Sequence, residues 1–515
     1  MKKKGKGAVT GAVFFAVLIA LLLGLGRVME YKGSREKIEP FLQRAQQIDV
    51  LFFGDSHAYS DIYPMELWDG YGIAAYNLAS YNLPIPVSYW VMRNALLACK
   101  PKVAVLDVNQ VWEPAKVCES SGDVHLGLDG FPLNRTKSEA VFDLTDDPLL
   151  TDKEGNRYRD LRAEFLFPFI KYHTRWNDLG MKDLRPEYER ELGGERNIAV
   201  AVPDDYVLVP DAADEQGPGF VYLRRFIADC RDAGVRVLLT NLPYPCRNNN
   251  DEQLYTNAVA YTAEECGVEY IDFVYMDQVV DYGTDCYDPA SHLNPSGAWK
   301  VTDLIGGHLS QAYGVPDHRG EEAYAGWDRD YAAYRERKLQ SLREETDPKT
   351  FLMLLADPSF STVLLLPEDS AAYGDDLAVR LLQNAGRRHL TMADMGEAVW
   401  SDMLMPLNLP EGPGNGTYMA VIDRGGRAIG ECRGRGRIRA SFGSVELDER
   451  RADAVIHGRR GKSRLHVQPD EDVHAAVLDR ATGEVLYERG IRMRPKNRMK
   501  APPKAGGEAP GNPQL

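Results

Sequence analysis

The stretch Ile48-Asp-Val-Leu-Phe-Phe-Gly-Asp-Ser-His57 joins a short apolar run to a glycine turn. An apolar run of this length that stops at a glycine predicts a buried strand followed by a tight turn. Ser56 would then lie at the carboxyl end of that strand. Ligand sites in parallel sheets form outside the carboxyl ends of the strands, so Ser56 is a candidate functional residue by position alone.

Four more apolar runs follow the first and alternate with helical stretches. The additional strands are predicted at residues 73–78, 103–108, 235–240 and 268–273. Helices are predicted at residues 86–99, 220–233 and 255–266, and a glycine directly follows the second and the third. This alternation predicts an α/β fold with a doubly wound parallel sheet.

The N-terminus carries a candidate membrane anchor. Residues 8–26 contain no charged side chain, and about 19 helical residues span roughly 28 Å, close to the thickness of a bilayer core. Four lysines precede this run, so the positive-inside rule predicts a cytoplasmic N-terminus and an extracytoplasmic remainder. We expect an uncleaved, single-pass anchor in a cell membrane. A cleaved signal peptide is the alternative, because its charged and apolar regions look the same.

Composition excludes some classes of function. The 515 residues include 61 Lys plus Arg against 76 Asp plus Glu, a formal net charge of -15. A chain held to nucleic acid by phosphate contacts would be basic, so no nucleic-acid partner is expected. The seven cysteines form no zinc-ligand spacing, and neither a P-loop nor a dinucleotide fingerprint is present. The sequence therefore predicts no metal and no cofactor, with cysteines that are mainly buried free thiols.

The rest of the chain divides into segments of different character. In chain order we predict a cytoplasmic stub with transmembrane anchor (1–27), a juxtamembrane linker (28–47), the α/β domain (48–315) with an inserted cap (113–218), a helical linker (316–350), a smaller β-rich domain (351–494) and a disordered tail (495–515). The cap is inferred because its segment is too long for a simple crossover. Trp327 and Tyr331 are expected to anchor the linker helix. Strands in the β-rich domain are predicted at 362–366, 418–423, 473–478 and 485–488, the last two joined as a hairpin.

Ser56 and His292 together suggest nucleophilic catalysis. A serine hydroxyl is weak at neutral pH and needs a base, which in turn needs a group that fixes its tautomer. Asp288, four residues before His292, would face it across a helical turn. Asp288-Pro289 also fits a helix N-cap followed by proline, so both roles stay open. His57 is expected to line the site rather than act as the base, because adjacent side chains leaving a strand diverge.

Other residues could bind the reacting group or the substrate. The backbone N–H groups of Ser56 and Ala79 and the side chain of Asn109 are candidates for an oxyanion hole, although Asn109 also suits a turn. His173, Arg175 and Trp176 in the predicted cap could hold an anionic or sugar substrate together with His57. For these three cap residues, internal packing of a cap helix is the alternative.

Three blocks of this sequence resemble the SGNH/GDSL hydrolase superfamily, in its membrane-anchored bacterial branch. They are Phe53-Gly-Asp-Ser-His-Ala58, Tyr76-Asn-Leu-Ala-Ser80 and Tyr287-Asp-Pro-Ala-Ser-His-Leu-Asn-Pro-Ser-Gly297. The resemblance covers residues 48–314 and implies a flavodoxin-like three-layer fold with serine-dependent removal or transfer of acyl groups. The chain departs from the family pattern at Pro289, where the acid commonly stands, at Ala79, where a glycine is usual, and in a reduced third block around Asn109.

The resemblance also implies a setting for the reaction. Members that face the cell exterior are similar to proteins that add or remove acetyl groups on envelope polysaccharides, or that act beside a membrane-bound acyl donor. We therefore expect an acylated glycan or another envelope ester as substrate, with a membrane-bound acyl donor protein as a candidate partner. The alternative is a catalytically impaired SGNH-like module that binds glycan or protein partners in envelope assembly.

Overall fold

The computed structural model describes most of the chain. The described residues are 2–30, 32–184, 191–203, 208–245, 251–276, 278–289, 292–387, 390–392, 394, 407–409, 416–448 and 453–493. The predicted disordered tail, residues 495–515, lies outside them. Within the described residues, a part with alternating strands and helices comes first and a part with two antiparallel sheets follows.

The first part contains a five-stranded parallel sheet. Its strands are β1 (Val50–Phe53), β2 (Ala75–Asn77), β3 (Val103–Asp107), β4 (Arg236–Asn241) and β5 (Glu269–Asp272). Their order is β2-β1-β3-β4-β5, and every neighbouring pair is parallel. All five predicted strands are confirmed, with ends that differ by one or two residues.

Two hydrophobic layers cover the faces of this sheet, because alternate side chains of a strand point to opposite sides. In β1, Leu51 and Phe53 belong to one buried cluster, whereas Val50 and Phe52 belong to the other. All four side chains are buried, as expected for a strand covered on both faces. The apolar run that predicted a buried strand is therefore the centre of an α/β fold.

Thirteen helices lie in the first part as described. They are α1 (Lys2–Met29), α2 (Lys32–Arg44), α3 (Ser56–Asp61), α4 (Pro64–Tyr71), α5 (Ile85–Ala95), α6 (Ser121–Leu128), α7 (Arg135–Leu144), α8 (Arg162–Leu166), α9 (Phe169–Tyr172), α10 (Met181–Leu184), α11 (Pro218–Asp232), α12 (Asp251–Cys266) and α13 (Pro295–Gln311). The segment between β3 and α11 that was predicted as a cap contains α6 to α10.

The apolar helix α1 matches the predicted anchor in length. Its stretch Val9–Met29 has 21 residues and a mean hydropathy of 2.5, which is long and apolar enough to cross a membrane. Its side chains are not buried inside the protein. An exposed apolar helix of this length is typical of a membrane span, and a signal sequence has the same properties.

The second part is rich in antiparallel strands, as the composition of its segment predicted. Its elements are α14 (Ala325–Glu344), α15 (Pro348–Leu354), β6 (Phe360–Leu366), α16 (Asp376–Ala385), β7 (Tyr418–Asp423), β8 (Ala428–Arg433), β9 (Gly436–Ala440), β10 (Gly443–Asp448), β11 (Asp453–Gly458), β12 (Gly461–His466), β13 (Val473–Asp479) and β14 (Val485–Ile491). They form the sheets β14-β13-β6-β7-β8 and β12-β11-β10-β9. The predicted hairpin is confirmed as the antiparallel pair β13 and β14.

Five strands, β8 to β12, were not predicted from the sequence. Their burial alternates or is partial, as in β10, where exposed and buried residues mix, and charged side chains such as Arg437 and Arg439 interrupt the apolar pattern of β9. A strand with one solvent-facing side needs few apolar residues. Short runs of this kind give a weak signal beside the continuous apolar runs of the parallel sheet.

The two parts share one hydrophobic core. The same buried cluster includes Val301 of α13, Phe351 of α15, Leu364 of β6 and Val477 of β13. Helix α14 adds a second connection, because Lys338 is buried between the carboxylates of Glu66 and Asp357. The β-rich part therefore packs on the α/β part as a continuation of its interior, while the predicted segment limits stay predictions.

The described cysteines carry free thiols. Cys99, Cys118, Cys230 and Cys286 are buried, and Cys266 and Cys432 are partly buried. The predicted buried free thiols are therefore present, whereas Cys246 lies outside the described residues.

Trp327→Ala tests the contact between α14 and the α/β part. The indole of Trp327 is fully buried and stacks on Trp68 of α4, with ring centroids 5.7 Å apart. Removing it should lower the free energy of unfolding by about 3–5 kcal/mol, because a large buried ring is replaced by a cavity. Denaturant unfolding of the full chain in detergent measures this. Leu149→Ala, at an 84% exposed side chain, is the control and should cost less than about 0.5 kcal/mol; equal effects would contradict the packing role.

Candidate active site

A sharp turn after β1 sets the position of Ser56. Gly54 follows the last residue of the strand and has φ 141°, a conformation that side chains rarely adopt. A Cβ atom on Gly54 would lie 2.8 Å from the Cβ of Asp107 on the neighbouring strand. Asp55 then caps α3 by accepting the N–H of His57, and Ser56 is the first residue of that helix. Ser56 therefore lies at the carboxyl edge of the sheet, as predicted.

Ser56, His292 and Asp288 form a hydrogen-bonded series. The Oγ of Ser56 lies 2.9 Å from Nε2 of His292, and Nδ1 of His292 lies 2.6 Å from Oδ2 of Asp288. The carboxylate fixes the imidazole proton on Nδ1 and leaves Nε2 free to accept the serine proton. About a quarter of each of the His292 and Asp288 side chains is exposed, so the series can be reached from solvent. This arrangement is chemically suited to activating a serine hydroxyl.

The loop that carries His292 is fixed from both sides. Tyr287 donates its N–H to the carbonyl of His292 at 2.9 Å, and Leu293 donates its N–H to Oδ1 of the buried Asp61 at 3.1 Å. Asn294 caps α13, as predicted, by accepting the N–H groups of Ser296 and Gly297. The base is therefore held between a short closed loop and the start of a buried helix.

Asp288 contacts both the imidazole and the backbone N–H of His292. Residues 287–289 form a bend, and no helix begins in the part of this loop that is described, which omits residues 290 and 291. The backbone N–H of His292 also points to Oδ2 of Asp288, at 3.3 Å. Of the two roles left open by the sequence, orienting His292 has geometric support, and capping has no helix to act on among the described residues.

A buried group of ionisable side chains adjoins Ser56. His57 Nδ1 lies 3.2 Å from Oδ1 of Asp55, and the carboxyls of Asp61 and Asp107 are close enough to act on His57 electrostatically. Within the described part of the chain, Nε2 of His57, Oδ2 of Asp61 and Oδ2 of Asp107 have no hydrogen-bond partner. The ring of His57 stacks on that of His292, with centroids 5.2 Å apart. His57 is thus buried and packs against the ring of His292.

Burial and mutual charge shift the pKa values of this group in different directions. Burial alone lowers the pKa of His57, but the neighbouring carboxyls outweigh it and raise that pKa to about 10. Burial and the charge of Asp55 raise the pKa of Asp107 to about 8, and burial raises the pKa of Asp61 well above its usual range. Burial would also raise the pKa of Asp55, yet His57 holds it below its usual value. The contact with Asp55 therefore favours a protonated His57, which cannot act as a base, and burial favours the protonated forms of Asp61 and Asp107.

Asp55, His57 and Asp107 also satisfy a distance criterion for metal ligands. Each offers one ligand atom, and these atoms lie within 4.8 Å of one another. A divalent ion suits a set of two carboxylates and an imidazole. Within this group Nδ1 of His57 contacts Oδ1 of Asp55, at 3.2 Å.

The predicted oxyanion donors differ in their surroundings. The N–H of Ser56 belongs to the first turn of α3, where N–H groups lack helical acceptors. The N–H of Ala79 donates instead to Oδ1 of Asn77 at 3.0 Å, so it is already engaged. Asn109 is buried in the short turn that follows β3, at the same edge of the sheet as Ser56. Ser56 and Asn109 therefore lie at the predicted edge of the sheet. The N–H of Ala79 would have to break its hydrogen bond to Asn77 before it could donate to a substrate.

The three predicted cap residues lie near the end of α1. Arg175 donates to the carbonyl of Met29 at 2.7 Å and forms an ion pair with Asp183. The Nδ1 of His173 lies 2.7 Å from the carbonyl of Ile170, and Trp176 is exposed. These contacts lie within the segment or at the end of α1, and they do not join the three side chains to Ser56.

A cavity of about 890 Å³ lies away from the hydrogen-bonded series. Its walls include Trp299 and Lys300 of α13 and Arg424 after β7, and none of Ser56, Asp288 and His292 lines it. The series joins a serine hydroxyl to an imidazole that contacts a carboxylate, whereas this cavity lies between the two parts of the chain, so the series is the candidate site.

Sequence reasoning missed Asp61 and Asp107. Asp61 holds the backbone next to His292, and Asp107 packs against the Gly54 turn and accepts the N–H of Leu242 at 2.9 Å. Both aspartates are buried. Their positions in the sequence were the one feature that could have indicated them, because Asp107 ends β3 and Asp61 ends α3. Acidic residues are common at the ends of helices and strands, so these positions did not distinguish the two aspartates from others.

Comparisons with known proteins give little further information. No protein-family model matches the sequence, and no curated protein matches it. Among solved structures, the chain is similar to the crystal structure of a "putative acylhydrolase" from Bacteroides fragilis. That similarity has a TM-score of 0.27 and 9% identity, and covers 54% of this chain and 98% of the other. A similarity this low leaves the side-chain geometry as the basis for functional inference.

Asp107→Asn tests the charge state of the buried group. The pKa of Asp107 is about 8 in the folded chain against 3.8 for an ordinary carboxyl, so its contribution to stability is complete below about pH 4 and is lost as the pH rises through about 8. Asparagine does not titrate and can still accept the N–H of Leu242. We expect the variant to gain stability relative to wild type as the pH rises over this range.

Denaturant unfolding at a series of pH values measures the difference between the two proteins. Glu264→Gln, at an exposed position on α12, is the matched control and should follow the wild-type curve. Parallel curves for Asp107→Asn and wild type would contradict a protonated Asp107.

Proposed function

We propose that this protein is a serine-dependent acyl esterase or O-acyltransferase of the SGNH/GDSL type, anchored in a bacterial cell membrane and acting on acylated envelope glycans outside it. The observation that carries the proposal is the series from Ser56 through His292 to Asp288, with distances of 2.9 and 2.6 Å. A serine, a base and an orienting acid in contact are the minimum for nucleophilic acyl transfer.

The reaction would proceed through an acyl ester on Ser56. The Oγ of Ser56 attacks the carbonyl carbon of the substrate ester while its proton passes to Nε2 of His292. His292 then gives that proton to the departing alkoxide oxygen, and the acyl group stays on Ser56. In the second half, a water molecule or a sugar hydroxyl gives its proton to His292 and attacks the acyl ester, and Ser56 regains a proton as it leaves. Attack by water gives hydrolysis, and attack by a sugar hydroxyl gives transfer of the acyl group.

Charge develops on the carbonyl oxygen during both halves and needs N–H donors. The N–H of Ser56 lies in the first turn of α3, where the helix dipole also favours negative charge. We assign the second contribution to Asn109, which follows the adjacent strand. The N–H of Ala79 would become a further donor once its hydrogen bond to the side chain of Asn77 is broken.

The fold supports the proposal at the level of architecture. The strand order β2-β1-β3-β4-β5 is the order of flavodoxin-like sheets, in which ligands bind at the carboxyl ends of the strands near β1 and β3. Ser56 follows β1, and Asn109 follows β3. The proposed site therefore coincides with the switch point of the sheet.

The proposed substrate follows from topology and from the family resemblance. If α1 crosses the membrane with its lysines inside, the residues after it face the cell exterior. Acylated glycans are abundant esters there, and a membrane-bound acyl donor protein would supply the acyl group for transfer. The net charge of -15 disfavours a nucleic-acid partner.

The Ser56→Ala, His292→Ala and Asp288→Asn variants test the proposed catalytic series. The full chain in detergent is treated with a fluorophosphonate probe, and hydrolysis of a p-nitrophenyl ester is followed in parallel. Ser56→Ala should abolish labelling, and each of the other two should slow ester hydrolysis about 10⁴-fold, since the base is lost or held in the wrong tautomer. Ser60→Ala, on the same helix, is the control. Labelling of Ser56→Ala equal to that of wild type would refute the assignment.

A binding role without catalysis is the second candidate. The engaged N–H of Ala79 favours it, because one predicted oxyanion donor is already bonded to Asn77. In that case the SGNH-like site would hold glycan or a protein partner without turning over an ester.

Glycan binding separates the two roles. We expect wild type to release acyl groups from acylated glycans on an array, and Ser56→Ala to keep binding them while leaving them acylated. The measurement is mass spectrometry of the glycans after incubation with the full chain. Binding by wild type with no loss or transfer of acyl groups on any glycan would favour the binding module over the enzyme.

A further inference from the structure

An apolar patch is exposed beside the end of α1. It consists of five large side chains between β3 and α11, whose exposed fractions are 48% for Phe167, 42% for Ile170, 66% for Trp176, 66% for Met181 and 63% for Leu184. All five fall within eighteen residues of sequence. Scattered exposed apolar residues are ordinary, but a cluster of large ones usually marks an interaction surface.

The segment that carries this patch packs on the last turn of α1. Elements α9 and α10 and the short turn His173–Asn177 between them all contact α1. A Cβ atom on Gly26 would lie 3.3 Å from the Cβ of Phe169, so the two backbones approach closely at that point. The guanidinium of Arg175 donates to the carbonyl of Met29, which is one of the carbonyls that a helix end leaves without a partner. The patch is thus fixed to the end of the apolar helix.

The length of α1 gives the depth of the patch in a bilayer. The apolar stretch Val9–Met29 has 21 residues, and at 1.5 Å per residue they span about 31 Å, the thickness of a hydrocarbon core. Its last turn would therefore lie where acyl chains meet headgroups. Phe169 and Arg175, which contact Gly26 and Met29, would therefore lie at the same depth in the bilayer.

Ion pairing and exposure in this segment suit that level. Arg175 and Asp183 pair with each other at 3.2 Å, and only 9% of the Asp183 side chain is exposed. Exposed polar side chains such as Asp178 lie in the same segment as the exposed apolar ones, and such a mixture fits a level where acyl chains meet headgroups. Tryptophan and phenylalanine are common in membrane-interface belts, and exposed leucine and methionine add apolar area.

We propose that the apolar patch rests in the outer-leaflet interface of the lipid bilayer that α1 crosses, as a second membrane attachment of the chain. The proposal rests on the membrane topology of the proposed function and is independent of the reaction at Ser56. A single helix lets the attached protein swivel about its axis. The patch beside the helix fixes which face of the α/β part is turned towards the lipid.

Depth-dependent fluorescence quenching tests this attachment. The full chain is reconstituted in phosphatidylcholine nanodiscs whose lipids carry bromine near the headgroup, near the chain end, or not at all. The chain has seven tryptophans, so the contribution of Trp176 is taken as wild type minus Trp176→Phe. We expect this difference spectrum to lose most intensity with bromine near the headgroup, and less with bromine near the chain end.

Matched variants separate this result from its alternatives. Trp112→Phe, at a partly buried position outside the patch, should retain the quenched component that Trp176→Phe removes. Ser56→Ala should be quenched like wild type, so failure of the proposed reaction and failure of the membrane contact give different results. A Trp176 spectrum that is the same in brominated and plain discs, with the chain still bound to the discs, would overturn the proposal.

Discussion

The close approach of β1 and β3 at Gly54 is the constraint on which the candidate site depends. At that point the chain leaves the sheet and enters α3 with only Gly54 and Asp55 between the two elements. A side chain at Gly54 would collide with Asp107, and its φ of 141° disfavours other residues. Because the turn is this tight, Ser56 lies directly at the sheet edge with its N–H in the first turn of a helix. The loop that carries His292 contacts Ser56 at this fixed position.

A buried charge network adjoins that turn. Three carboxyls and an imidazole lie out of solvent beside the serine, a costly arrangement unless charges are paired or carboxyls are protonated. The pairing of His57 with Asp55 and the raised pKa values of Asp61 and Asp107 meet this requirement. The network also has structural effects, since Asp61 holds the residue after His292 and Asp107 packs under the turn. Buried groups beside the series can therefore determine its geometry.

The end of the apolar helix has a separate set of contacts. Helix α1 packs on the segment predicted as a cap, and Arg175 bonds to its last turn. The same segment presents large apolar side chains outward. Arg175, one of the three residues predicted as a candidate substrate clamp, thus bonds to the end of the apolar helix. The β-rich part packs on the opposite side of the architecture through α13 and α14, with which it shares buried side chains.

The sequence by itself determined the parallel sheet, because continuous apolar runs ending in turn residues have few other interpretations. It also determined the candidate nucleophile and base, since Ser56 and His292 belong to short motifs with a recognisable chemistry. The strands β8 to β12 were not predicted from the sequence, because half-exposed strands with charged residues give only a weak hydrophobic pattern. Contacts between distant residues were decided by the tertiary structure alone. It brought His292 to Ser56, the N–H of Leu293 to Asp61, and Arg175 to the end of α1. These contacts depend on which loops lie next to each other in the folded chain. The spacing of residues along the sequence does not indicate which loops those are.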